Sequence, residues 1–332
     1  MTYSTGSTIV SLDYNTFAQG GATVNHAVAN INTVWGVGSG DKGYGQSTTL
    51  PTVATLTDTV TATQWSTMIS RLNSILTHQA GSGSGITAPT AGVTITYLSA
   101  LSSSITTAFT NRLSAATNAT DVTNSSTNTS WNTAAPTTLT ITKTATWASA
   151  DQARYFFNAG GKLVVNFGTV TNTLGNSKGT DWASLLATKF ASMIVGGYTN
   201  SRTGVGGTVS TSNTAIGYWN AGTGGTSIMK LTSASGTADY GTNSVELVIK
   251  TNGVQGANGD VGTIMTFTFT LTDAAADTNT APPGIPAYTP AGTSPTQGAF
   301  NDGLNLTIPC GIIVRPPETT NLTTAITNPT IA

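Results

Sequence analysis

Two segments of the sequence alternate between apolar side chains and threonine. In TLTITKTATW, threonine separates the members of one face, which are Leu139, Ile141, Lys143, Ala145 and Trp147. In GTIMTFTFTLT, the row Ile264, Thr266, Thr268 and Thr270 alternates with Met265, Phe267, Phe269 and Leu271. A period of two is that of a β-strand with one buried and one outer face. The two segments therefore predict half-buried strands, the second with a threonine ladder on one face.

The surrounding region contains further strand and helix patterns. The predicted strands are KLVVNFGTV, TAIGYWN, TSIMKLTS, SVELVIKT and the short GIIVR. The predicted helices are ADQARYFFNA, capped by Ser149, and DWASLLATKFASMIV, which starts at Asp181. Short loops rich in Gly, Asn and Ser favour antiparallel pairing. Residues 138–315 are thus predicted to form an α+β domain, an antiparallel sheet with two packed helices.

The N-terminal part of the chain shows helical periodicity instead. Apolar residues recur every three or four positions in GGATVNHAVANINTVWG, TATQWSTMISRLNSILTHQ and YLSALSSSITTAFTNRLSAA. Gly36 ends the first segment as a C-cap, and Thr61 or Thr63 opens the second as an N-cap. We predict a small helical attachment unit over residues 1–118.

Two polar segments complete the predicted organisation. Residues 119–137 are polar and almost without pattern, which is typical of a linker. After the Pro-rich stretch 282–295 and the strand GIIVR, residues 316–332 are predicted to form an extended C-terminal tail.

The stretch ADQARYFFNAGGKL places Tyr155, Phe156 and Phe157 side by side in a chain with only 7% aromatic residues. On a short helix ended by Gly160–Gly161, the two phenylalanines and Ala153 face the sheet. Buried aromatic rings are the usual means of holding a short helix in place. Core packing is therefore favoured over a ligand site.

Residues that could bind a metal or a cofactor are few. The only histidines, His26 and His78, fall in different helical segments, and the single cysteine, Cys310, is interpreted as a buried structural thiol. A metal site needs more ligands than these. The stretch GSGDKG matches the spacing GxGxxG but follows a helix rather than a strand, so we interpret it as a loop. No cofactor and no metal are expected.

The carboxylates form no recognisable acid–base pair. The candidates are Asp151, Asp181, Asp239, Glu246, Asp260 and Asp273. Asp151 and Asp181 are predicted to open helices, where a carboxylate binds free backbone N–H groups. Glycoside cleavage and related reactions need two coupled groups. The sequence therefore predicts a protein that is not an enzyme.

Three aromatic side chains, Trp182, Tyr218 and Trp219, are candidates for contact with a sugar or with a partner subunit. Aromatic rings stack on the apolar faces of pyranoses. The six tryptophans are spread over the chain and form no single platform. A place in the core or in a subunit interface is therefore favoured over sugar binding.

The chain carries very little charge. It has 12 basic and 13 acidic residues, or 8% charged residues, against roughly 25% in ordinary soluble domains. Such a balance does not suit a nucleic-acid partner, and a net charge of −1 does little to prevent association. The start MTYSTGSTIVSLDYN lacks the pattern of a secretory signal, and no segment has the length of a membrane span. We expect a protein made in a cytoplasm and covered by neighbouring subunits.

Several motifs resemble segments of virion structural proteins of tailed bacteriophages, notably those that infect cyanobacteria. They are VNHAVANINTVWGVGSGDKGYGQ, TATQWSTMISRLNSILTHQ, ADQARYFFNAGGKLVVNF and the closing GIIVRPPETTNLT. The resemblance implies a component of the particle in the tail, the baseplate or a tail fibre. It implies no catalytic residues.

The expected role is therefore structural, with other virion proteins and further copies of the chain as partners and the virion as location. Two alternatives remain. One is a carbohydrate-binding receptor module of a fibre, which would contact a host surface glycan. The other is a capsid decoration protein.

Overall fold

The computed structural model combines helices with two antiparallel sheets, which confirms the predicted α+β class. It describes residues 11–19, 29–37, 40–53, 59–123, 126–133, 137–233, 240–255, 261–274 and 304–332. His26, Asp239, Asp260 and the Pro-rich stretch 282–295 lie outside the described residues.

Helices form the N-terminal part of the described chain. They are α1 (Ser11–Gln19), α2 (Ile31–Trp35), α3 (Ala62–Ala80) and α4 (Leu98–Thr110). At the start of α3, Thr61 accepts a hydrogen bond from the backbone N–H of Gln64, whose side chain accepts one from the N–H of Thr61. The apolar stripe of α3, including Trp65 and Leu72, is buried against the other helices. Only the second half of the first predicted helix is described, as α2.

The strands are β1 (Val122–Thr123), β2 (Thr127–Thr133), β3 (Thr137–Thr146), β4 (Lys162–Phe167), β5 (Thr171–Asn172), β6 (Ser192–Val195), β7 (Asn200–Arg202), β8 (Thr208–Ser212), β9 (Thr226–Thr232), β10 (Ser244–Thr251), β11 (Ile264–Asp273), β12 (Leu304–Arg315) and β13 (Thr330–Ile331). The first sheet has the order β1-β12-β4-β6-β7, and β2 and β5 also pair with β12. The second sheet has the order β13-β3-β11-β10-β9-β8. The predicted single sheet is thus two sheets. The predicted short strand GIIVR is the end of the long strand β12, which pairs with β1, β2, β4 and β5 in a sheet of its own.

The two sheets share one hydrophobic core with the helices α5 (Ala150–Asn158) and α6 (Ser177–Ser184), the latter continuing as a π-helical turn (Leu185–Phe190). Phe167 of the first sheet and Phe269 of the second sheet meet with ring centroids 4.7 Å apart. Phe190 packs against both rings at 5.5 Å. The core therefore lies between the sheets and is closed at one side by the helix that precedes β6.

The aromatic cluster of α5 joins the sheets to the helical unit. Phe156 and Phe157 are buried against Trp147, at 5.6 and 5.3 Å, as the sequence predicts. Tyr155 points the other way and covers Gly45, where a Cβ would lie 2.2 Å from its ring. The backbone of Gly45 is left-handed, with φ of +67°, so a side chain there is excluded twice. The short helix thus contributes side chains to both cores.

Polar contacts to backbone carbonyls complete this junction. The amide of Asn158 donates to the carbonyls of Gly40 and Gly43, at 3.1 and 3.0 Å, so the described part of GSGDKG is a loop that offers acceptors. His78 Nε2 lies 2.9 Å from the carbonyl oxygen of Ala159. Burial lowers the pKa of His78, and its contacts with backbone groups partly oppose this shift.

Residues 119–137, predicted as a linker, instead supply β1 and β2, which pair with β12. Pairing uses backbone groups, so a segment rich in Thr, Asn and Ser can join a sheet if one side chain fixes it in the core. Trp131 does so: it is 2% exposed and lies 4.8 Å from the ring of Trp182. The predicted linker is therefore wrong, because Trp131 is buried in the core and the backbone around it pairs with β12.

Two local predictions are also corrected. The segment TAIGYWN is not a strand but a turn followed by a 3₁₀ turn (Tyr218–Asn220), in which the side chain of Asn220 accepts from the N–H of Gly217. Asp181 does not open its helix. Asn176 caps α6 by accepting from the N–H of Gly179, and Asp181 lies a turn further on.

The C-terminal segment 316–332, predicted as an extended tail, is mostly irregular with a turn at Thr320, and it does not leave the molecule. The side chain of Gln46 accepts from the N–H groups of Thr323 and Thr324, at 2.8 and 2.6 Å. Ile326 packs against both cores. The segment ends as β13, which pairs with β3. It therefore runs along the junction and ties the helical unit to the second sheet.

Candidate interaction surface

The outer face of the second sheet is lined by threonine on its two longest strands. In the register of β3 and β11, threonine lies opposite threonine in the pairs Thr138–Thr272, Thr140–Thr270, Thr142–Thr268 and Thr144–Thr266. We call these residues the threonine face. β-Branched side chains suit a pleated surface, and directly opposed threonines stabilise the pairing of their strands. All of them are exposed or half-buried.

Charges occur only towards one side of the outer face, on the described strands β9 and β10. Glu246 lies opposite Lys230, with the ammonium and carboxylate 3.5 Å apart, and it points outward as the sequence predicts. Lys250 is exposed further along β10. Since both members of the ion pair remain hydrated, the pair adds little stability. The surface thus divides into an uncharged half on β3 and β11 and a charged half on β9 and β10.

An uncharged polar surface of this kind costs little to cover. Covering a charged side chain is expensive unless an opposite charge meets it, whereas each threonine hydroxyl can donate and accept hydrogen bonds with a partner or with trapped water. The threonine face itself, two ten-residue strands about 4.8 Å apart, has an area on the order of 300 Å². A standard protein interface takes roughly 800 Å² from each partner, so a partner of that kind would also cover strands beside β3 and β11.

The opposite, inner face of the same strands is buried. Met265, Phe267, Phe269 and Leu271 are fully buried. Lys143 of β3 is charged but is also buried, with 4% of its surface exposed. Its ammonium donates to the hydroxyl of Thr127 at 2.5 Å. The predicted alternation is therefore confirmed on both strands.

The three aromatic residues predicted as contact candidates lie in the core. Trp182 is fully buried against Trp131. Tyr218 stacks on Phe157 at 4.4 Å, and Trp219, 5% exposed, meets Tyr218 edge-on at 5.0 Å. The structure brings Tyr218 and Trp219 together but places Trp182 elsewhere, and none of the three presents a ring to a sugar.

The other candidate residues from the sequence also make contacts inside the fold. Cys310 is buried between the sheets, and burial raises the pKa of its thiol to about 12, with Lys143 partly opposing the shift. Asp181 accepts from the hydroxyl of Ser233 at 2.6 Å, and Asp273 forms a buried ion pair with Lys178. Among the described residues, no group of three or more His, Cys, Asp and Glu side chains is arranged to bind a metal.

The sequence predicted each threonine row but not their pairing. β3 and β11 are separated by more than a hundred residues, and nothing in either segment states that they are neighbours. The signal that could have suggested it is their shared length and period, since two ten-residue strands of equal amphipathicity match best when side by side.

No family model, no curated protein and no solved structure matches this chain. None of the helices in the described part of the chain is long and apolar enough to cross a membrane.

Proposed function

We propose that the protein is a structural component of a tailed bacteriophage virion, in the tail or baseplate or at the attachment of a tail fibre, and that it acts through subunit contacts. The threonine face carries this proposal. It is an uncharged polar surface on two paired strands, and all of its threonines are exposed or half-buried. A partner that covers it would be another subunit of the particle, beginning with a second copy of the chain.

Two features of the sequence support the same role. Two motifs resemble segments of phage virion proteins: ADQARYFFNAGG forms α5 at the junction of the two cores, and the described part of VNHAVANINTVWG includes α2 in the helical core. The low charge of the chain also suits a protein that works inside an assembly, because a surface without net charge does not repel its own copies.

The first experiment measures self-association of the purified chain by light scattering over a range of concentrations. The double variant Thr142→Lys with Thr268→Lys places two ammonium groups in the centre of the threonine face. Since a covered, unpaired ammonium is costly, we expect association to weaken at least about tenfold, or about 1.4 kcal/mol. The matched control is Ser102→Lys with Thr106→Lys, which adds the same charge to exposed positions of α4.

A chain that remains monomeric at high concentration, and that mass spectrometry does not find in purified phage particles, would refute the proposal. If both double variants weaken self-association equally, the added positive charge of the chain would be the cause, and the threonine face would not be the contact surface. Copy number in the particle separates the capsid decoration alternative, because tail and baseplate components occur in small multiples set by the symmetry of the tail. The receptor alternative has lost its candidate residues, since Trp182, Tyr218 and Trp219 are buried.

A further inference from the structure

A lysine and an aspartate meet in the interior of the sheet domain. Lys178 Nζ lies 2.7 Å from Asp273 Oδ2, and both side chains have no exposed surface. Lys178 belongs to the first turn of α6, and Asp273 is the last residue of β11. The pair therefore joins the helix that closes the core to the central strand of the second sheet.

The surroundings fix both partners from several sides. Trp182, one turn after Lys178, is fully buried. Asn243, also fully buried, precedes β10 next to Asp273 and accepts from the N–H of Ala274 at 3.1 Å. Asp181 of the same helix is occupied by the hydroxyl of Ser233. The amine and the carboxyl group thus meet among buried residues, away from bulk water.

The contact places an amine against a carboxyl group without access to bulk water. An ion pair without access to water loses hydration that its mutual attraction does not fully replace. Passage of one proton from Nζ to the carboxylate gives a neutral amine beside a neutral carboxylic acid. A neutral amine is a nucleophile, and a carboxylic acid is an electrophile that it can attack. Because the fold already holds the two groups in contact, the reaction does not have to lose the translational and rotational entropy that it loses in solution.

We propose that Lys178 and Asp273 condense without an external catalyst to an intramolecular isopeptide bond. Nζ of the amine adds to Cγ of the carboxylic acid and forms the C–N bond. A proton then passes from the nitrogen to one hydroxyl of the tetrahedral intermediate, the C–O bond breaks, and one water molecule leaves. Ammonium plus carboxylate becomes amide plus water, so the step needs no oxidant, nucleotide or metal. Burial also disfavours the reverse reaction by excluding water.

The chain contains its own comparison for this reaction. Lys230 and Glu246 also bring an amine and a carboxylate within 3.5 Å, but their side chains are 42% and 28% exposed. Water reaches both groups there, so neither loses its hydration, and no amide is expected. The pair Lys230 and Glu246 is therefore an internal control for an amine and a carboxylate that are close together but not buried.

The bond would close a covalent loop that contains β6 to β11. A closed loop restricts the unfolded chain and raises resistance to denaturation. The inference concerns the chain itself, so it stands or falls separately from the proposed role in a virion.

The experiment is an intact-mass measurement of the full chain, purified and then denatured. We expect a mass lower than that of the sequence by one water molecule. After digestion we expect one branched peptide that links Lys178 to Asp273, and linear peptides for Lys230 and Glu246. An intact mass equal to that of the sequence, with separate linear peptides for Lys178 and Asp273, would overturn the proposal and leave an ion pair only.

Two variants identify the bond chemically. Lys178→Arg keeps the positive charge but offers a poor nucleophile, so the mass deficit should disappear. Asp273→Asn supplies an amide carbonyl, so condensation there should release ammonia in place of water, a different deficit at the same position. A water deficit that persists in Lys178→Arg would place the lost water elsewhere and refute the assignment. The wild-type measurement is decisive even if a variant fails to fold.

Discussion

The two faces of the second sheet are built from alternate residues of the same strands, yet they differ in almost every property. The inner face of β11 consists of fully buried residues such as Phe267 and Phe269, whereas Thr268 between them is on the outer face. The inner face stabilises the fold by removing apolar surface from water. The outer face adds little to the fold and remains available to a partner.

The difference teaches that one periodic segment can encode two separate tasks. Substitutions at even positions of β11 should change contacts and leave stability almost unchanged, and substitutions at odd positions should do the reverse. Lys143 is the test of this rule, because it places an ammonium on the buried face of β3.

Alkylation of Cys310 should report the closed core that the inner face covers. Only the thiolate reacts, and with a pKa of about 12 the buried thiol forms almost none near neutral pH. We expect iodoacetamide to modify the native chain at least about a thousandfold more slowly than the chain in concentrated urea, because modification requires opening of the core. Mass spectrometry over time gives both rates. Similar rates in both states would show that the space between the sheets is open to reagents.

Phe269→Ala should destabilise the chain more than any substitution on the outer face. Its ring fills the space between Phe167 and Phe190, so its loss leaves a cavity. We expect a decrease in the free energy of unfolding of about 3–5 kcal/mol, measured by urea denaturation. Self-association of the fraction that remains folded should be unchanged. A decrease below about 1 kcal/mol would contradict the assignment of this face to the core.

Lys143→Met should leave stability unchanged or raise it by about 1 kcal/mol. Methionine keeps the apolar stem and removes the need to bury an ammonium, while Thr127, which is exposed, can exchange its lost partner for water. Urea denaturation measures the change. A clear loss of stability would mean that the contact between Lys143 and Thr127 outweighs the cost of burying the charge. In that case a polar contact, and not only apolar burial, would stabilise the inner face.

Thr270→Val should have the smallest effect on stability. The substitution keeps the shape of the side chain on the outer face and removes only a hydroxyl, so we expect a change within about 0.5 kcal/mol. Thermal unfolding followed by circular dichroism is sufficient to measure it. A loss above about 1 kcal/mol would show that the hydroxyl makes a contact the fold depends on, and the separation of tasks between the faces would fail at this position.

The sequence predicts those parts of the fold that are recorded in local patterns. The alternation in β3 and β11, an N-cap threonine at the start of α3 and the buried pair Phe156 and Phe157 all follow from residues close together in the chain. Each depends on the geometry of one strand or one helix. A pattern within one segment is therefore enough to predict it.

Features that depend on distant partners could not be read in this way. β2 is polar and looks like a linker until β12 is placed beside it, since its backbone rather than its side chains makes most of the contact. The ion pair of Lys178 and Asp273 joins residues from a helix and a strand that no local pattern relates. The threonine face likewise needs the pairing of β3 with β11. In each case the missing information is which segments become neighbours.

The position of β12 in the chain has a consequence for synthesis. This strand pairs with β1, β2, β4 and β5, all of which end by Asn172, yet it begins only at Leu304. At ribosomal speeds of about 5–20 residues per second, the earlier strands wait on the order of ten seconds for their partner. On a polysome, unfinished sheets of neighbouring nascent chains are exposed side by side during that interval. Binding by chaperones and exchange of strands between copies therefore compete with correct folding of this protein.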